Sequence, residues 1–136
     1  MIADTNVLAE IRQQWSAVKR LCDDGARVVF VEGVQFCEEG RPSESFNLPF
    51  VLAFAVLDQV LCELRDQGVF SCPSKALLGT KMDKSKSALP WQDYALVEQA
   101  KVDRNRIAHD GVLFSKADCL KYVGAVEAEL KAWGIV

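Results

Sequence analysis

One histidine, His109, and no Cys-x-x-Cys pair occur in the 136 residues of this chain. Histidine alone has its ordinary pKa near neutrality, so proton transfer by an unperturbed side chain has a single imidazole to use. The five cysteines stand at 22, 37, 62, 72 and 119. An odd, scattered set points to neither a disulfide framework nor a zinc site, and predicts mostly core thiols in a reducing cytosol. No glycine-rich phosphate loop, Ser-His-Asp set or metal-ligand cluster is spelled out, so no cofactor and no metal is expected. The longest apolar run, Leu48 to Leu57, covers ten residues, whereas a membrane-spanning helix needs about 20. Asp4 and Glu10 interrupt any N-terminal apolar leader. These absences predict a cytoplasmic protein with no membrane partner.

Half the residues are hydrophobic and 26% are charged, which is the composition of one globular domain over residues 1–136. A chain of this length buries roughly two thirds of its unfolded surface. The net charge of −3 excludes a uniformly basic coat. Residues 75–106 nevertheless hold seven basic side chains against four acids, while the remainder carries nine against fifteen. That distribution is an anion-seeking patch on an acidic body, or a solvated loop and helix face.

Helical periodicity dominates. Asp4 is placed to cap a first helix whose stripe is Leu8, Ile11, Trp15, Val18 and Cys22. Asp23-Asp24-Gly25 breaks it. Val28 to Val31 suits a strand or a further helix equally. The 38–43 segment is expected as an exposed loop, and Asn47 with Pro49 starts a helix that stops at Gly68 and is apolar all round in its first half. A short helix is expected around Ala76–Met82 and a long one from Trp91 to about His109, closed by Gly111. Ser115 with Asp118 forms a capping box for a last helix that Gly134 ends. With no clear strand pair, the expectation is an all-α, up-and-down bundle of four to five helices.

The chemistry-bearing stretch is residues 101–111. On a helix, Lys101, Asn105 and His109 fall four apart on one face, and Arg104 borders it. An arginine to hold phosphoryl oxygens, a histidine to move a proton and an amide to orient either is a phosphate site. The bland alternative is a histidine that merely finishes a helix. Trp91, Tyr94 and Trp133 can stack bases, but at helical spacing such aromatics are usually core.

Arg104-Asn105-Arg106-Ile107-Ala108-His109 resembles the R-x4-6-H motif of the HEPN superfamily, all-α domains that carry it near the end of a long helix. The resemblance implies a metal-independent endoribonuclease, often the toxin of a toxin–antitoxin or phage-defence pair. It implies a homodimer that faces two motifs across one cleft and attacks RNA with the RNA's own 2′-hydroxyl. Carried over, Arg104 and His109 are catalytic and Asn105 supports them. Lys101, Arg106, Lys81, Lys84 and Lys86 are then expected to contact RNA phosphates. The implied partners are a second copy, RNA and an antitoxin protein. Relatives modified by a nucleotidyltransferase carry a tyrosine two residues after the histidine. Here that position is Gly111, so the resemblance does not extend to such modification. Other HEPN domains are non-catalytic modules that bind nucleotide, RNA or protein. A second resemblance lies in Asp4-Thr5-Asn6-Val7-Leu8, which is similar to the opening of the metal-dependent PIN nucleases. In those proteins the motif ends a β-strand, and here only three residues precede it.

Overall fold

The computed structural model describes residues 1–23, 27–38, 40 and 42–136. The expected break at Asp24 and Gly25, and Glu39 and Arg41 of the expected loop, lie outside the described residues. Five helices account for most of the chain: α1 (Thr5–Cys22), α2 (Asn47–Asp66), α3 (Leu78–Ser85), α4 (Tyr94–Asp110) and α5 (Lys116–Ala132). A 3-10 turn, Ser43–Phe46, leads into α2. One antiparallel hairpin, β1 (Arg27–Val31) with β2 (Val34–Glu38), follows α1. The class is helical as expected, and the hairpin corrects the expectation that no strands pair.

Local signals explain the boundaries. The Asp4 carboxylate accepts from the N–H of Asn6 (2.9 Å) and Val7 (3.3 Å), satisfying donors that every helix start leaves open. Asp4 is therefore a cap and not the end of a strand, unlike its counterpart in PIN nucleases. Ile11, Trp15 and Val18 form the buried stripe of α1, with Leu8 and Cys22 partly buried beside it. Asn47 does not cap α2. Its amide donates to the Val112 carbonyl (3.0 Å) and accepts from the Phe114 N–H (3.1 Å), tying the start of α2 to the α4–α5 connection. Ser115 accepts from the Asp118 N–H at 3.1 Å and opens α5.

Helix α2 is the centre of the fold, with α1, α3, α4 and α5 packed against it. Phe50, Leu57, Leu61 and Leu64 on it have no exposed surface. The Glu44–Asp66 stretch is long and apolar enough to cross a membrane. Half of its most apolar part is buried inside the fold, where α1, α3, α4 and α5 pack against α2. Chain ends are held too: Gln67 bonds Ala3 and Met1, and Arg12 donates to the Ile135 carbonyl at 2.7 Å. Cys119 lies in the core, where burial pushes its thiol up to about 11. Cys37 is exposed on β2, against the expectation of mostly core thiols, and the other three are half-buried.

The hairpin stands apart from this core. Val28, Phe30, Val31, Val34 and Phe36 are each more than half exposed, and none belongs to the core cluster. The Phe30→Ser, Phe36→Ser double variant is expected to melt within a few degrees of the wild type, since exposed sites contribute about 0.5 kcal/mol or less. A loss above about 2 kcal/mol in urea unfolding would show that the hairpin is packed.

Candidate phosphate-binding cleft

Helix α4 buries only Val97, Ala100 and Asp103 fully, which leaves most of its circumference for other work. Asp93 caps its start by accepting from the Leu96 N–H at 3.1 Å. Gly111, at φ 64°, ends it in the left-handed conformation and returns its N–H to the Ile107 carbonyl at 3.2 Å. A tyrosine at this position is disfavoured by that backbone geometry.

Asp103 fixes the rotation of α4. It is buried and accepts a hydrogen bond from the Tyr122 hydroxyl of α5, with Gln99 donating to its other oxygen at 3.2 Å. The carboxylate and burial together push the Tyr122 phenol up to about 12. With this rotation, Arg104 on the next position turns toward α2, where its guanidinium lies 5.8 Å from the centre of the Phe54 ring.

The raised phenol predicts a pH dependence. An unfolded tyrosine ionises near pH 10, whereas the folded one holds its proton to about 12. Between those values the unfolded state binds fewer protons, so stability falls as pH rises. Urea midpoints measured from pH 9 to 12 are expected to fall less steeply in Tyr122→Phe. An unchanged slope would contradict the Tyr122–Asp103 bond. Near pH 7 the same variant is expected to lose about 1–2 kcal/mol.

A cleft of about 470 Å³ opens between the start of α3 and the C-terminal half of α4. Leu77, Leu78, Gly79 and Thr80 form one wall, and Lys101, Arg104, Asn105 and His109 form the other. Among the described residues, no aspartate or glutamate lines it. The Nε of Arg104 is closed off from solvent and has no hydrogen-bond partner among the described residues. The cleft can thus present an ammonium, a guanidinium, an amide and an imidazole to one ligand, and that set suits an anion.

The remaining sequence-expected contacts lie elsewhere. Lys81 is buried on α3 facing α2, with its ammonium 2.5 Å from Asp58 and 3.2 Å from the Cys62 sulfur. Burial alone would lower its pKa. The bonds to Asp58 and Cys62 outweigh that and raise it. The charge expected to meet RNA phosphates is thus partnered inside the fold, between α3 and α2. Arg106 sits beside Asp103 (3.7 Å) and over the Phe114 ring, Lys86 lies over the Tyr94 ring, and Lys84 is exposed near the end of α3. None of the three lines the cleft. At the opposite end of α4, Trp91 packs edge to face on Tyr94 and on Trp133; Trp133 is core, and the other two are partly buried against it. Among the described residues no group of three or more His, Cys, Asp or Glu could hold a metal ion.

Sequence reasoning missed the α3 wall. Leu77 to Thr80 carry no charge and no motif, and only the fold sets them opposite Arg104. No family model, curated protein or solved structure matches the chain.

Proposed function

We propose that the protein is a metal-independent endoribonuclease of HEPN type, acting as a two-fold homodimer in the manner of a toxin. The observation that carries this is the cleft that gathers Arg104, Asn105 and His109 with Lys101, with no carboxylate among its described lining residues. In the proposed reaction the 2′-oxygen of RNA attacks the adjacent phosphorus and the bond from phosphorus to the 5′-oxygen breaks. A 2′,3′-cyclic phosphate and a 5′-hydroxyl result. The guanidinium of Arg104 neutralises the phosphoryl oxygens as charge builds on them, and Asn105 orients the phosphate. One His109 takes the 2′-hydroxyl proton. A second proton must reach the leaving oxygen, and the other subunit's copy of the same imidazole is its source.

The test is RNA cleavage by the purified protein in excess EDTA, with the new ends identified by mass spectrometry. Cyclic phosphate ends that survive the chelator are expected. Cleavage only after Mg²⁺ or Mn²⁺ is restored would overturn the metal-independent mechanism. Absence of cleavage with intact RNA binding would leave a non-catalytic module.

A further inference from the structure

We propose that Cys62 and Lys81 form an oxidation site, at which hydrogen peroxide joins the two side chains through a single oxygen atom. The resulting S–O–N bridge fastens α3 to α2. It needs no RNA and uses no residue of the cleft.

Asp58 and Cys62 stand four apart on α2 and share one face of it. Lys81 reaches both from α3. Its ammonium lies 2.5 Å from the Asp58 carboxylate and donates to the Cys62 sulfur at 3.2 Å. Lys81 is only 5% exposed, so its nitrogen is held against that sulfur by the packing of α3 on α2. Cys62 itself is half-buried and not sealed from a molecule as small as peroxide. Cys119 shows the opposite arrangement. It lies in the core, where its thiol donates to the Asn47 amide oxygen (3.6 Å) and faces the Phe114 carbonyl (3.9 Å). Acceptors of that kind hold the proton on sulfur. At Cys62 the sulfur instead accepts from a cation, which suits a sulfur acting as nucleophile.

The bridge consumes two peroxides. The Cys62 sulfur attacks the first and breaks its O–O bond, giving a sulfenic acid and water. The second condenses with the sulfenic acid, releasing water and leaving a hydroperoxide on sulfur. Lys81 passes one proton to Asp58, and its free amine attacks the oxygen bonded to sulfur. The N–O bond forms, the O–O bond breaks, and the departing hydroxide takes a proton from nitrogen and leaves as water. Sulfur and nitrogen each lose two electrons, and each peroxide takes up two. Lys81 directly follows Thr80, so the bridge also ties down the α3 wall of the cleft.

The test treats the folded protein with peroxide, then unfolds it, alkylates free thiols and digests it for mass spectrometry. The expected product joins the Cys62 and Lys81 peptides. Its mass exceeds their sum by one oxygen and falls short of that by two hydrogens. Dithiothreitol is expected to release the two peptides. The product should be lost in Cys62→Ser and in Lys81→Arg, which keeps the charge beside Asp58. Amide exchange along α3 should slow about tenfold in the bridged protein. Cys62 left unoxidised, carried only to sulfinic acid, or joined to another cysteine without the added oxygen overturns the bridge. So does a product that survives Lys81→Arg, or one that forms equally when the chain is unfolded before peroxide is added. Unchanged exchange along α3 overturns the fastening.

Discussion

His109→Ala is expected to lower RNA cleavage by about 10³-fold while leaving the melting temperature unchanged within a few degrees. General acid–base catalysis by one side chain contributes about 10²–10⁴-fold, and a two-fold site loses both imidazoles with a single substitution. The stability side of the expectation follows from exposure: His109 lies at the surface in the last turn of α4. Helix closure there depends on the Gly111 backbone instead. Arg104→Ala is expected to reduce cleavage by about 10²–10³-fold, the usual cost of removing one preorganised charge partner. It should also destabilise modestly, because the guanidinium covers the Phe54 ring. Arg104→Lys keeps the charge but loses the planar fork, so a large residual defect separates oriented contact from simple neutralisation. Arg106→Ala is the control. Its side chain is beside Asp103 and Phe114, outside the cleft, and near-wild-type cleavage is expected. Cleavage lost in Arg106→Ala and retained in His109→Ala would remove the cleft from the mechanism.

Much of the helical frame was legible because each boundary carries a local chemical signal. The Asp4 cap, the Ser115 cap and the Gly111 stop act within four residues of where they stand, and the stripe of α1 obeys a 3.6-residue period. The hairpin was not legible for an equally physical reason. Its two-residue turn is Glu32-Gly33, with both residues at positive φ (52° and 77°). Asparagine or aspartate before glycine announces such a turn, and glutamate does not. With every hydrophobic described on it exposed, it also lacks the in–out alternation that marks a packed strand. Within the site, the face shared by Lys101, Asn105 and His109 followed from spacing alone. The opposite wall and the engagement of Lys81 did not, because a charged residue's partner is a property of tertiary contact. Lys81 and Lys84 look alike in the sequence, three residues apart on one short helix, yet one is buried against Asp58 and the other is solvated.

Glu129→Ala is expected to cost about 3 kcal/mol or more, lowering the melting temperature by roughly 12 °C for a domain of this size. In the sequence Glu129 looks like a solvent-facing glutamate of α5, two positions after Glu127. In the fold it has no exposed surface. Its two oxygens each accept a 2.7 Å hydrogen bond, from the backbone N–H of Gln92 and of Asp93. It therefore closes the entry to α4 from a neighbouring helix, beside the Asp93 cap. Removing the carboxylate strands two backbone donors, each worth about 1–3 kcal/mol when buried without a partner, and leaves a void at a position with no exposed surface. Glu129→Gln retains one acceptor and turns an N–H donor toward the other amide, so an intermediate loss is expected. Glu127→Ala supplies the comparison. Its carboxylate pairs with Lys19 and Lys131 nearer the surface, both at 2.7 Å, and such pairs contribute about 1 kcal/mol or less. Thermal melting of the three variants, with amide exchange at Gln92 and Asp93, distinguishes the roles. A Glu129→Ala protein as stable as Glu127→Ala, with both amides still protected, would show that the start of α4 is held by something else. The expected result places a buried glutamate of α5 among the groups that fix α4, and with it the wall that carries Lys101, Arg104 and His109.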